Sequence, residues 1–148
     1  MLIAKGYFDQ QGTPCLKVSL CGIFNSDGIE IEAIIDTGFT GFISIPLIEA
    51  FPVGLPLFGT TTVTFADGST GNKLTALGTI AIGDRREKGI VILEENASDV
   101  LLGMDFLRRF KASLVITKDS IALLEHDWLD QINSKLPTDS TPPPATKS

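Results

Sequence analysis

Ala33-Ile34-Ile35-Asp36-Thr37-Gly38-Phe39-Thr40-Gly41-Phe42-Ile43-Ser44-Ile45 is the stretch that decides how this chain is read. An apolar run leads directly into an acid in a tight glycine turn, and a second apolar run resumes as a strand beyond it; Asp-Thr-Gly occurs once. A lone solvated aspartate is ionised at neutral pH, so it can accept a proton but has none to donate. Two aspartates held about 3 Å apart cannot both ionise and so share one proton. One oxygen then deprotonates a water while the other protonates or hydrogen-bonds a carbonyl, which hydrolyses an amide without metal or covalent intermediate. Such a pair titrates as a unit. A chain with one such turn can build the pair by two-fold symmetry, because an isologous dimer places the same loop of each protomer at the axis. Gly38 suits that arrangement, since a Cβ would obstruct two closely approaching backbones.

Composition narrows the alternatives. The 148 residues, 43% of them hydrophobic, suit one domain with a tail. Twelve basic against eighteen acidic residues give a net charge of −6, the wrong sign for holding phosphate backbones, so nucleic acid is not an expected partner. Cys15 and Cys21 are the only cysteines and read as two reduced thiols. His126 is the only histidine and, with scattered acids, makes no metal-binding set. The apolar run in Met1-Leu2-Ile3-Ala4-Lys5-Gly6 is too short for a signal peptide and no stretch approaches a membrane span, which reads as a soluble, cytoplasmic protein with no membrane partner. Neither a Gly-x-Ser-x-Gly elbow nor a phosphate-cradling Gly-Lys-Ser/Thr loop is present.

Short runs of Val, Ile, Thr and Phe separated by Gly, Asn and Asp are the punctuation of an all-β domain. Strands are expected at 3–8, 16–21, 29–35, 42–45, 60–66, 73–82, 89–93, 113–117 and 121–124. Turns are expected at Asn25-Ser26-Asp27-Gly28, at Gly83-Asp84-Arg85-Arg86-Glu87 and at Lys118-Asp119. Asp67-Gly68 is a hairpin signal in its own right. A short helix over 46–51 would open at Pro46 and end at Pro52. A second, Met104–Phe110, sets Phe106, Leu107 and Phe110 on one face, and capping of it accounts for Asp99 and Asp105. Arg85, Arg86, Glu87 and Lys88 read as a solvated charged turn. Domain organisation follows as 1–125 for the β domain, 126–136 for a C-terminal amphipathic helix carrying Trp128, Leu129, Ile132 and Leu136, and 137–148 for a disordered tail rich in Pro, Ser and Thr.

From roughly Ile29 to Ile116 the sequence resembles the retropepsin-like aspartic proteases, especially their single-domain bacterial members. The resemblance rests on Ala33-Ile34-Ile35 before Asp36-Thr37-Gly38, on the strand that follows, and on Val100-Leu101-Leu102-Gly103-Met104-Asp105-Phe106-Leu107, a hydrophobic pair plus glycine entering a short helix. Val63 to Gly71 sits where that family carries its flap. The resemblance implies a retropepsin-like acid-protease barrel with one or two short helices, active as a two-fold homodimer. Asp36 would be catalytic, with Thr37, Gly38 and Gly103 supporting its loop; the Thr37 hydroxyl would tie the two loops together across the dimer. Phe65, Ala66, Asp67, Gly68 and Ser69 would form the flap over a polypeptide substrate, pairing with it as an added strand. No cofactor is implied. Chain ends form an intersubunit sheet in that family, which makes Ile3–Phe8 and the hairpin Ser113–Leu124 candidates, with the Trp128 helix an addition. Asp67 and Phe39 depart from the family's glycine-rich flap tip and from its small residue after the triplet. The alternative from another class is a noncatalytic dimeric peptide-binding module of the same fold.

Overall fold

Alternating side chains build most of this molecule. In β3 (Gly28–Ile35) Glu30 and Glu32 face out while Ala33 and Ile35 turn into the core, and in β2 (Pro14–Cys21) Leu16, Val18 and Leu20 do the same around exposed Lys17. The computed structural model describes residues 1–22 and 28–126, together with Ser134. Around β2 and β3 stand β1 (Leu2–Phe8), β4 (Ile43–Pro46), β5 (Leu57–Thr64), β6 (Thr70–Ile82), β7 (Arg85–Glu94), β8 (Leu101–Leu102), β9 (Ala112–Ile116) and β10 (Ile121–Glu125). Two short helices, α1 (Leu47–Ala50) and α2 (Met104–Arg109), interrupt them.

The strands run in the order β5-β6-β7-β4-β8-β3-β2-β1-β10-β9. Ser19, Leu20 and Cys21 of β2 also pair with Ala81, Ile80 and Thr79 of β6. That extra ladder closes the path β6-β7-β4-β8-β3-β2 into a ring around one core. Phe42, Ile43, Ile45, Ile80, Val91 and Leu102 fill it, each 1% exposed or less, and each large side chain so buried contributes roughly 1.5–3 kcal/mol. Phe42 lies flat on β7, where a Cβ on Gly89 would fall 2.5 Å from its Cγ. Only glycine fits under that ring. Phe106 joins Phe42 at 6.4 Å and Phe110 at 4.8 Å between ring centroids, which buries the inner face of α2 as its spacing requires.

A three-stranded antiparallel extension hangs from the ring. Leu2 to Gly6 of β1 pair with β10, whereas Tyr7 and Phe8 pair with β2. Among the described residues β9 pairs only with β10, so it is one edge of the sheet, with β5 at the other.

All nine expected strands are present, and the differences are local. Arg85, Arg86, Glu87 and Lys88 are not a turn; they lie in β7, paired with Ile82, Ala81, Ile80 and Thr79. Gly83, at φ +58°, lets Gly83-Asp84 alone reverse the chain. Pro46 is the N-cap residue of α1 rather than its first position, and Pro52 does not stop the chain but sits near the start of a 3-10 turn, Phe51–Val53. The two-residue strand β8 was not expected. The Lys118-Asp119 turn is present, closed by Thr117 N–H donating to Ser120 O at 2.9 Å. Residues 25–27 of the expected first turn, the helix expected after His126 and the tail 137–148 lie outside the described residues, except for Ser134.

Candidate active site

The strand β3 ends at Ile35, and Asp36 opens the turn that follows, half-buried, with Thr37 and Gly38 exposed beyond it. A distant segment and the turn's own backbone fix it. The Ile34 N–H donates to Val100 O at 2.7 Å and the Asp36 N–H to Leu102 O at 2.9 Å, so the backbone under the carboxylate is clamped on one side. Phe39 N–H donates to Asp36 O at 3.1 Å and closes the turn itself. The carboxylate is oriented by its own loop, because Gly38 N–H donates to Asp36 Oδ1 at 2.9 Å. A Cβ on Gly38 would stand 3.2 Å from that oxygen. Within one chain, Gly38 therefore keeps space for the Asp36 carboxylate rather than for a second backbone.

β8 supplies the clamp. Leu101 and Leu102 slot between β3 and β4, parallel to Ile34 and Ile35 on one side and antiparallel to Ser44 and Ile43 on the other. Gly103 follows, and its N–H donates to Phe42 O at 3.2 Å. A Cβ there would sit 2.5 Å from Phe39 O and 2.6 Å from Phe39 Cδ2, so only glycine lets the two segments cross this closely.

The same crossing caps α2. The first N–H groups of a helix lack partners within it, and no side chain caps this one. Met104 N–H donates instead to Phe39 O at 2.8 Å, and Asp105 N–H to Gly41 O at 3.1 Å and Thr40 O at 3.2 Å. Asp105 is thus not the cap expected of it; its carboxylate pairs with Arg109 Nε at 2.5 Å, one turn on. Asp99 lies outside the helix, in a groove of about 590 Å³ lined also by Glu32, Ile34 and Val100. Arg109 also donates to Lys88 O at 3.0 Å, and Arg85 donates to Phe110 O, so the C-terminal end of α2 is fastened to β7.

Phe39 has a structural role that sequence reasoning missed. Its ring folds back over Gly41, where a Cβ would stand 2.5 Å from Cζ, and over Gly103. The bulky residue after the triplet thereby covers the crossing of the two segments. Gly41 and Gly103 were the only signals available for it.

The residues Phe65 to Ser69 form a separate unit, the tip of the β5–β6 hairpin. Phe65 N–H donates to Ser69 O at 2.8 Å and Gly68 N–H to Phe65 O at 2.9 Å, with Gly68 at φ +86°. Asp67 Oδ1 accepts from the Ser69 hydroxyl at 2.6 Å and its N–H at 2.9 Å, and these bonds hold the Asp67 carboxyl below its ordinary range. Phe65 is 46% exposed; its ring lies against Gly71, and the Lys73 ammonium stands 5.8 Å from its centroid.

Titratable groups of β1 and β2 belong to neither unit. Burial, then the hydrogen bond to Glu32, pushes the Tyr7 hydroxyl up to about 12. Burial, then the Asp9 charge, raises the Cys15 thiol, which with Cys21 is free and buried. A thiol so placed is a poor nucleophile. No helix among the described residues is long and apolar enough to cross a membrane.

Solved structures share this architecture. A retropepsin-like aspartic protease from Rickettsia conorii is 20% identical with a TM-score of 0.59, over 81% of this chain and 88% of that one. The EIAV protease complexed with the inhibitor HBY-793 is 16% identical with a TM-score of 0.57, over 74% of this chain and 98% of that one. Both likenesses establish a retropepsin-like fold. No curated protein sequence matches the chain. The model of one sequence family matches residues 24–109, more than half of the chain and the whole span from β3 to α2 that builds the Asp36 loop, and the chain therefore belongs to the "gag-polyprotein putative aspartyl protease" family.

Proposed function

We propose that the protein is an aspartic endopeptidase that works as a two-fold homodimer, Asp36 of each protomer supplying one carboxylate of the catalytic pair. The observation that carries this reading is the clamped turn. A half-buried carboxylate is held by bonds from its own loop and by a second segment threaded beneath it, and the chain has only one such turn. That is preorganisation of the kind proton transfer needs.

In the reaction, two carboxylates about 3 Å apart share one proton. The ionised one takes a proton from water as the water oxygen bonds to the peptide carbonyl carbon, and the protonated one gives its proton to the carbonyl oxygen. The tetrahedral species then collapses: a proton passes to the amide nitrogen, the C–N bond breaks, and the pair returns to its singly protonated state. The substrate is an extended, largely apolar polypeptide lying between the turns and the hairpin tip Phe65–Ser69, which pairs with its backbone and excludes water. Thr37 supports the loop across the dimer.

An intersubunit sheet would need a strand with an unpaired edge. β1 and β10 pair with each other inside one chain, which leaves β9, among the described residues, as an open edge of regular register without lysine or proline. Such an edge is a template for pairing. Antiparallel pairing of β9 with β9 of a second copy would join two three-stranded extensions into one six-stranded sheet.

The test is cleavage of a diverse unfolded-peptide mixture by wild type and Asp36→Asn, from mildly acid to neutral pH and at several protein concentrations. Cleavage abolished by the substitution, with specific activity rising with concentration, is the expected result. Peptide binding that survives Asp36→Asn, with no product from a folded wild-type dimer at any pH, would overturn it.

A further inference from the structure

Gly41 and Gly103 are not glycine for the sake of their own backbone. Neither has a positive φ, and Gly103 is extended at φ −110°. What a side chain at either position would meet is Phe39. The three atoms nearest to a Cβ on Gly41 all belong to the Phe39 ring, with Cζ at 2.5 Å and Cε1 at 2.8 Å. A Cβ on Gly103 would stand 2.6 Å from Cδ2 of the same ring. One ring therefore rests on two glycines, one from each of the crossing segments. Phe39 is half-buried there, whereas Thr37, Gly38 and Thr40 around it are exposed.

Phe39 also ends the turn that carries the acid. Its N–H donates to Asp36 O at 3.1 Å, and its own carbonyl accepts from Met104 N–H at 2.8 Å. Asp36 N–H in turn donates to Leu102 O at 2.9 Å. The Asp36 backbone is thus held at its nitrogen by β8 and at its carbonyl by Phe39. Gly38, whose N–H donates to Asp36 Oδ1 at 2.9 Å, is the residue just before Phe39, so a tilt of Phe39 reaches the carboxylate through it. The two backbone bonds of Phe39 leave its peptide units free to tilt about the line that joins them. A ring packed on both segments removes that freedom, because close-packed groups move only if their neighbours do.

We propose that Phe39 is a positioning residue: its ring, seated on Gly41 and Gly103, fixes the tilt of the Asp36 turn and with it the direction of the carboxylate. Phe39 acts through the turn and does not touch the reacting atoms. Its effect on rate rests on the catalytic reading of Asp36; its effect on geometry does not. A bulky residue after the triplet is then the anchor of the turn, and the rate should be sensitive to it because proton transfer tolerates little misplacement.

Phe39→Ala keeps both backbone bonds and removes only the ring. On a peptide that the wild type cleaves, it should lower kcat by about 10²-fold with KM unchanged. It should also move the amide resonance of Gly38, which reports the bond to Asp36 Oδ1. Gly41→Ala should do both from the other side, its methyl displacing the ring. The double variant Phe39→Ala/Gly41→Ala should regain at least about 10-fold in kcat over either single one, because the methyl enters space the ring has left. Circular dichroism checks the fold of each. Phe39→Leu keeps carbon over Gly103 but loses it over Gly41, so it should give a smaller loss in the same two readouts and carries the test if Phe39→Ala does not fold. Phe51→Ala, on an exposed side chain of the 3-10 turn, should move neither. Wild-type kcat and Gly38 resonance in Phe39→Ala overturn the proposal, as does a double variant no better than the worse single one. A rise in KM at constant kcat also overturns it, by assigning Phe39 to substrate contact. A wild type that cleaves nothing refutes the catalytic reading instead, and the Gly38 resonance then decides for or against Phe39.

Discussion

The turn at Asp36 and the hairpin tip at Phe65–Ser69 are both short acid-bearing loops closed by an Asp side chain bonding to the amide two residues on. They differ in what else holds them. The Asp36 turn is bonded to Val100, Leu102 and Met104 of a distant segment, and its neighbours Gly41 and Phe42 to Asp105 and Gly103. Among the described residues the tip bonds only within itself, and most of β5 behind it is exposed. Local opening follows bonds and burial, so one loop is rigid and the other is free to move on its hairpin. A protease needs both: proton transfer demands fixed oxygens, whereas a long peptide can enter only if something lifts.

The largest expected effect tests the fixed loop for chemistry alone. Asp36→Asn should reduce cleavage by at least about 10³-fold and change unfolding free energy by less than about 1 kcal/mol, because an amide oxygen can still accept from Gly38 N–H. Urea unfolding alongside peptide cleavage measures both. A large stability loss would make Asp36 a structural residue. Gly103→Ala should separate the loop from its clamp. The new Cβ meets the Phe39 carbonyl and ring at 2.5 and 2.6 Å, and the carbonyl cannot withdraw without losing its bond from Met104 N–H. Overpacking against backbone there should cost about 3 kcal/mol, and activity should fall with it. A variant as stable as wild type would show that the crossing is looser than its geometry.

Much of this contrast was readable from residue order. Strands such as β3 were legible because Glu30 and Glu32 alternate with buried Ala33 and Ile35, and α2 because Phe106, Leu107 and Phe110 recur at helical spacing. Asp36 and Gly103 stood out as an acid and a glycine against apolar runs. β8 was illegible, because two leucines have no period and become a strand only by pairing with β3 and β4. Cap assignment failed at α2 for a related reason: local rules offered Asp105, but the loop carbonyls of residues some sixty positions earlier reach the helix first. The charged residues 85–88 misled because charge was taken for a turn, when alternate exposed positions of a hairpin strand carry it equally well.

At the hairpin tip effects should be smaller and confined. Gly68 sits at φ +86°, and a Cβ added there would meet nothing within 4 Å, so Gly68→Ala introduces backbone strain but no clash. That strain is about 1 kcal/mol. The tip can open to relieve it, so global stability should fall by less, while hydrogen exchange at 65–69 speeds up by up to about 5-fold. An equal loss in global unfolding would show the tip to be bound into the barrel.

The least disruptive probe of the tip is a proton. Asp67 accepts both the Ser69 hydroxyl and its N–H, bonds that favour the charged form and lower its pKa from the ordinary 3.8. A group depressed in the folded state contributes order that is fully present above its unfolded value and is lost as pH falls through the folded one. The tip should therefore be unchanged from neutral pH down to the ordinary carboxylate range and loosen only below it, seen as a late shift of the Ser69 amide resonance. Asp67→Asn should abolish that acid step. The Asp36 loop keeps its backbone clamps whatever the state of Asp67, so the amide of Asp36, bonded to Leu102, should not follow the Ser69 transition. If both amides moved together, the two loops would be one cooperative unit and the division between fixed and movable halves would fail.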